Sequence, residues 1–325
     1  MATRDLRIDG LKFFLVCMVV LGHCIQPFRY DYAVTGWLYG IIYSFHMPLF
    51  IILSGYFFRV EAIEKETKKC LRLLETFIIV TLVYWLSSGM SYTWPLVRIG
   101  ACPSWYLFSL LCWRITSFYV LRRMAFQRLF TISLLLSIIL FVTLNKGEGV
   151  FGIMRTAQFY PYFLLGYAIK QDMFKISSFN QILVYILAVL SIIAIMFLSS
   201  YALYSLEFQS IGMLRWSKMF GMSVLCAVGG FLFVKISSLT ISYSVWKFIK
   251  LPNSIALFGS ASLLIYSLHT MILPLMYKYC TSLWQTLIIG LLTIVLAMAL
   301  SKTNLSNLIT NTFTTVLSII NSKKS

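Results

Sequence analysis

Residues 11–28, LKFFLVCMVVLGHCIQPF, form an apolar run that carries two basic groups, Lys12 and His23, with ten residues between them. Eleven helical steps make almost three full turns, so both side chains fall on one face, about 16 Å apart along the axis. The run is long enough to cross a hydrocarbon core of ~30 Å. It therefore reads as a membrane-spanning helix with Lys12 at one membrane surface and His23 beyond mid-depth. Ionisable groups at such depth are rare and usually functional.

The rest of the chain agrees with that reading. Of 325 residues, 60% are hydrophobic and only 11% charged, whereas a soluble domain carries about 25% charged residues. The residues ahead of Leu11 are short and charged, and no small-residue cleavage pattern follows the first run, so it is expected to stay in the protein rather than act as a signal peptide. The net charge of +17 raises the question of nucleic acid. Most of the cations sit in short segments between apolar runs, which is what the positive-inside rule produces without any ligand, and nucleic acid is set aside as a partner. Seven cysteines show no metal-ligand spacing, and no metal is expected. Cys102 and Cys280 fall in segments on the same expected side, which leaves a disulfide between them open.

Further apolar runs at residues 37–58, 76–93, 105–121, 129–144, 158–170, 181–199, 218–237, 255–276 and 283–300 give, with the first, about ten transmembrane helices. The expected fold class is an all-α, polytopic integral membrane protein. Cation-rich segments at Arg59 to Glu75, Arg122 to Arg128, Lys170 to Lys175 and Lys235 to Lys250 each follow an even-numbered run, so they share one side with both termini, and the bias makes that side cytoplasmic. Arg59 to Glu75 is open between an amphipathic surface helix and a charged connector. Residues 1–300 make the transmembrane domain and residues 301–325 a polar, amphipathic tail. No phosphate loop, repeat or soluble domain is present, so any chemistry has to be built from the spans and their short connections.

The three histidines of the chain all fall inside these runs. At ~1.5 Å per residue, His23 lies ~18 Å from the inner end of the first span, His46 ~14 Å from the outer end of the second and His269 ~21 Å from the inner end of the ninth. They share a layer slightly outward of the midplane, and Arg114 in the fourth span falls at a similar depth. Imidazoles beside a guanidinium suit proton transfer and stabilisation of a developing anion. The competing reading is that each group bonds a neighbouring helix and does nothing else. At the other end, Asp9 and Lys12 are three residues apart on the helix stripe that also carries His23, so they can pair. In the second span, Pro48 frees a backbone carbonyl and Ser54-Gly55 permits close helix approach.

These residues carry a resemblance. RIDGLKFFLVCMVVLGH (Arg7 to His23) resembles the opening signature of the membrane-bound acyltransferase 3 family, a basic residue and a histidine separated by ten residues. Most members have arginine at the basic position, where this chain has Lys12. FHMPLFIILSGYFF (Phe45 to Phe58) is similar to the next motif of the family. Trp105-Tyr106-Leu107 is similar to its WFL element, PYFLLGY (Pro161 to Tyr167) to its FFLLGY element, and SLLIYSLH (Ser262 to His269) to the late motif that ends in histidine. The compact chain most resembles the fucose-4-O-acetylase-like members of the family.

The resemblance implies a multi-pass protein of the cell (inner) membrane that moves an acetyl or other small acyl group from acyl-CoA to a hydroxyl of a cell-surface or exported carbohydrate, or of a lipid-linked glycan. Acetyl-CoA is the implied donor, and membrane lipids are the surroundings. On this reading His23 is the base or a transient acyl carrier. Lys12, with Asp9, attracts a phosphate of the donor or orients its thioester, Arg122 and Arg123 serve the nucleotide phosphates, His46 and Arg114 contact acceptor or oxyanion, and Trp105 and His269 bind substrate or donor. Lysine lacks the bidentate fork of arginine, so Lys12 is expected to act as a point charge. The competing class is a transporter or exporter of a polysaccharide precursor or of protons, since membrane histidines also make proton relays. Against it, no inverted repeat is visible and acidic residues in the spans are almost absent. A membrane scaffold leaves the three histidines unexplained.

Overall fold

The computed structural model describes residues 5–89, 103–143, 152–173, 177–200 and 224–303. Regular structure among them is helical throughout: α1 (Leu6–Ile25), α2 (Ala33–Tyr56), α3 (Ile63–Ser87), α4 (Trp105–Val120), α5 (Phe126–Thr143), α6 (Ile153–Lys170), α7 (Ser178–Ser200), α8 (Val224–Phe248), α9 (Asn253–Ala256), α10 (Ser262–Tyr279) and α11 (Leu283–Leu300). Short 3₁₀ turns at Gln26–Phe28 and Leu257–Ala261 extend α1 and join α9 to α10. Six segments among the described residues are long and apolar enough to cross a membrane: Leu6–Phe28, Ala33–Tyr56, Ile63–Ser87, Asn180–Ser199, Asn253–Tyr279 and Leu283–Leu300. The protein is thus an all-α membrane protein, with fewer qualifying spans than the ten apolar runs. α4 has only 16 residues, and α6 carries Arg155, Gln158 and Lys170.

Local chemistry fixes several helix ends. The Asp5 carboxylate accepts from the backbone N–H groups of Arg7 and Ile8, at 3.0 and 3.3 Å, and starts α1. Ser282 and Gln285 form a reciprocal capping box on α11. Two sequence expectations are corrected here. Arg59 to Glu75 is neither a separate surface helix nor a connector: from Ile63 it is the first half of α3, which runs unbroken to Ser87. Lys235 to Lys250, expected as a loop, lies largely inside α8. Its hydroxyls bond back into the helix, Thr240 Oγ1 to the Ile236 carbonyl at 3.0 Å and Ser244 Oγ to the Thr240 carbonyl at 2.9 Å.

Helices α1 and α2 form the centre. α2 packs on α1, α6, α7 and α8, while α1 also meets α10, α11 and the Leu257–Ala261 turn. Glycines make the closest crossing: a Cβ at Gly55 would overlap the Phe163 carbonyl, and one at Gly166 would overlap the Ile52 carbonyl. Backbone approach of this kind is how helices gain dispersion contact where lipid removes the hydrophobic driving force. The outer helices turn apolar stripes outward, as in Ile182, Ile186, Val189, Ile193 and Phe197 of α7, which suits a lipid-facing surface. Cys280 is a free thiol. Its suggested partner Cys102 lies outside the described residues, as does the tail from residue 304.

Candidate active site

The one-face spacing of Lys12 and His23 on α1 separates two polar layers. In the first, the His23 and His269 rings face each other with centroids 5.5 Å apart. His46 joins through Tyr43, whose ring meets that of His46 edge-on at 4.6 Å and that of His23 at 6.2 Å. His46 is 2% exposed, and its Nδ1 lies 2.7 Å from the Ile42 carbonyl, one turn back in α2. His269 is 4% exposed, and among the described residues neither of its ring nitrogens has a hydrogen-bond partner. A small gap lined by His23, Cys24, His269, Gly290 and Thr293 has room for about one water molecule. Helices α1 and α11 are clamped beside it: Cys24 Sγ donates to the Thr286 carbonyl at 3.1 Å, and Thr286 Oγ1 donates to the Cys24 carbonyl at 3.0 Å.

The His23 ring is held by groups from three elements. Its Nδ1 is 3.0 Å from Gln26 Oε1, and the Tyr43 and Tyr277 hydroxyls lie at 3.5 and 3.4 Å. Tyr277 also donates toward the His23 backbone carbonyl at 3.1 Å. Gln26, three residues beyond His23 on the same face, carries a weak signal in the sequence, and Tyr277, 254 residues from His23, carries none.

The second layer surrounds a cavity of about 340 Å³ lined by Lys12, Ser54, Phe57, Tyr106, Arg114, Gly259 and Tyr266 among others. Lys12 Nζ sits 3.4 Å from Asp9 Oδ1 and 3.9 Å above the centre of the Phe57 ring. Gly259 lies against the Asp9 backbone with no space for a Cβ, which brings the Leu257–Ala261 turn to the cavity wall. Arg114 donates from Nη2 to Glu66 Oε2 at 2.7 Å, and among the described residues its buried Nε has no hydrogen-bond partner. Across the cavity, Ser54 Oγ and the Tyr106 hydroxyl are 2.7 Å apart, and the Tyr106 and Tyr266 rings meet at 5.6 Å. Tyr266 bonds the Pro103 carbonyl, and its ring touches that of His269 at 5.4 Å. The Lys12 cavity and the histidine layer therefore share a wall, Tyr266.

The three histidines come together, as their depths suggested. Arg114 does not join them: it lies with Lys12 and packs on Phe58 at the end of α2. Ser104 and Trp105, at the start of α4, are buried, at 0 and 8% exposure. Glu66, the partner of Arg114, was hidden in the charged run read as surface. Trp105 lies against Phe159, rings tilted with centroids 5.3 Å apart, with Arg155 over its ring at 5.5 Å, and does not line the cavity, whereas its neighbour Tyr106 does. Arg122 and Arg123 are exposed and line no part of it. Arg122 is engaged by the Glu61 carbonyl at 2.6 Å and the Phe118 ring at 3.9 Å. Among the described residues no group of three or more His, Cys, Asp or Glu side chains could hold a metal.

Comparison with known proteins gives one long match and two short ones. Nodulation protein NolL of Sinorhizobium fredii is 45% identical over 56 residues, 16% of this chain and 15% of the relative. Nodulation protein NolL of Mesorhizobium japonicum is 43% identical over 56 residues, with the same shares. The chain thus covers only 15% of the length of these relatives. No solved structure matches it at a significant level. The family described as acyltransferase domain, acyltransferase 3, matches residues 5–302. That match takes in both polar layers and every described helix, and on it the chain belongs to the acyltransferase 3 family.

Proposed function

We propose that the protein is a membrane O-acyltransferase that moves an acetyl or other small acyl group from acyl-CoA to a hydroxyl of a cell-surface or exported carbohydrate, with residues 1–300 as the catalytic domain. The observation that carries this reading is the shared wall: a cavity with Lys12 and Arg114 at one end meets, through Tyr266, the paired rings of His269 and His23. Its volume of about 340 Å³ falls in the range of ligand pockets. Lys12 and Arg114 supply positive charge for the donor thioester or its phosphates, and Asp9 and Glu66 hold those cations in place. The gap between His23 and His269 favours a small acyl group, because only a water-sized atom group fits there.

In the chemical step His23 accepts the proton of the acceptor hydroxyl while its oxygen attacks the thioester carbonyl. A donor hydrogen bond from His269 stabilises the tetrahedral oxyanion. The C–S bond then breaks, and the imidazolium returns its proton to the departing thiolate, giving an ester and free thiol. A donor entering at the Lys12 end places that end, and both termini, on the cytoplasmic side of the inner membrane, in a ten-span topology. The test is His23→Ala in purified, correctly inserted protein, assayed with labelled acetyl-CoA and the surface glycan of the organism. Full residual activity overturns the reading. Loss of an acetyl mark from surface polysaccharide in a deletion strain, seen by mass spectrometry, would identify acyl group and acceptor together.

A further inference from the structure

The hydrogen-bonding neighbours of the His23 ring lie on one side of it. Gln26 Oε1 is 3.0 Å from His23 Nδ1, 3.2 Å from the Tyr43 hydroxyl and 3.3 Å from the Tyr277 hydroxyl. A side-chain carbonyl oxygen only accepts, so three groups able to donate converge on one acceptor. Tyr43 is fixed in turn, 4% exposed and packed between Tyr39 at 4.2 Å and His46 at 4.6 Å. Gln26 is fixed by the backbone, where the chain leaves α1 for a 3₁₀ turn with Pro27. Among the described residues no hydrogen bond is made by Nε2 of His23, while the ring of His269 stands 5.5 Å away with no hydrogen bond at either nitrogen.

A neutral imidazole has one N–H and one lone pair, and the partner of one nitrogen decides which carries the proton. We propose that Gln26 is a positioning residue that, steadied by Tyr43 and Tyr277, takes the Nδ1 proton of His23 and so leaves the lone pair on Nε2, aimed into the gap shared with His269. This rests on the reading of His23 as the base. With the tautomer fixed this way, an acceptor hydroxyl at the gap meets a free lone pair on His23, while an N–H of His269 is left for the carbonyl oxygen of the thioester, the two contacts that deprotonation and oxyanion stabilisation require. The opposite amide orientation, with the Gln26 NH₂ turned to His23, would place the proton on Nε2 and block it as a base, so the two arrangements predict opposite chemistry.

The experiment uses the full chain labelled with [¹⁵N]histidine. Three histidines give three ring pairs, and H23N assigns the signals of His23 by their absence. At neutral pH a proton on Nδ1 and a bare Nε2 are expected for His23; a proton on Nε2 overturns the proposal. In kinetics, Q26L lowers kcat at least ~10-fold with KM for acetyl-CoA unchanged, since the base is no longer held in its working tautomer. Q26E keeps an acceptor beside Nδ1 but adds a negative charge that favours the imidazolium, so the rising limb of the pH–rate profile moves upward by about one unit. A Q26L enzyme with wild-type kcat, or a Q26E enzyme with an unmoved pH limb, overturns the proposal. The spectrum needs no turnover, so failure of the acyltransferase reading, which H23A reports, is seen separately.

Discussion

Replacing Glu66 by alanine removes the ion-pair partner of Arg114, and the structure sets the size of the effect. The pair is 2.7 Å apart with side-chain exposures of 11% for Arg114 and 4% for Glu66, and Arg114 Nε already lacks a partner. Breaking a buried pair by deleting one member leaves an uncompensated charge and costs about 3–5 kcal/mol. E66Q retains an acceptor oxygen of the same shape and loses only the charge-assisted part, so its loss is smaller. The double variant E66L/R114M removes both charges and is expected to lie within about 1 kcal/mol of wild type or above it. The assay is thermal inactivation in detergent, followed by size exclusion, for all three variants side by side. The order expected is double variant, then E66Q, then E66A as the least stable. Activity separates from stability in the double variant: it folds but has a raised KM for acetyl-CoA, because the cavity has lost a cation. An E66A protein as stable as wild type would refute the reasoning, since it would mean that Arg114 is solvated rather than buried.

Gly166→Ala drives a Cβ into the Ile52 carbonyl and should leave little monodisperse protein on fluorescence-detected size exclusion. Lys12→Met should raise KM for acetyl-CoA with little change in kcat, while Lys12→Arg keeps wild-type KM, both read from initial rates at two ionic strengths. His269→Asn should lower kcat far more than His46→Asn, because His46 is bonded to its own helix at Ile42 whereas His269 faces His23 with free nitrogens; equal losses would contradict this assignment. Thr286→Val removes the bond to the Cys24 carbonyl and should lower stability by about 1 kcal/mol in the same thermal assay.

The composition, the apolar runs and the one-face spacing of Lys12 and His23 made the fold class and the histidine layer legible before any coordinates. Helix rise is constant, so residue counts convert to depth wherever a helix starts at the membrane surface. A residue count along α4 does not reveal what Arg114 meets, because its partner Glu66 comes from α3, which packs beside α4. The cation-rich segments 235–250 and 59–75 belong largely to α8 and α3 for a related reason. Polarity marks a loop only where the polar groups face water, and here Ser, Thr and Glu side chains are satisfied inside the protein.

By itself, the sequence determined that this chain lies in a membrane as helices, that a cation and an imidazole share one stripe of the first helix, and that its motifs resemble those of one acyltransferase family. These are local properties, set by hydropathy and by the 3.6-residue period. Only the tertiary structure decided that Glu66 holds Arg114, that Tyr266 joins the Lys12 cavity to the histidines, and that Gln26, Tyr43 and Tyr277 converge on one nitrogen of His23. Those contacts join residues as far as 254 positions apart, and nothing in a linear period encodes which face of one helix meets which face of another. That is settled by close packing, through Gly55 and Gly166 at the α2–α6 crossing and Gly259 against α1.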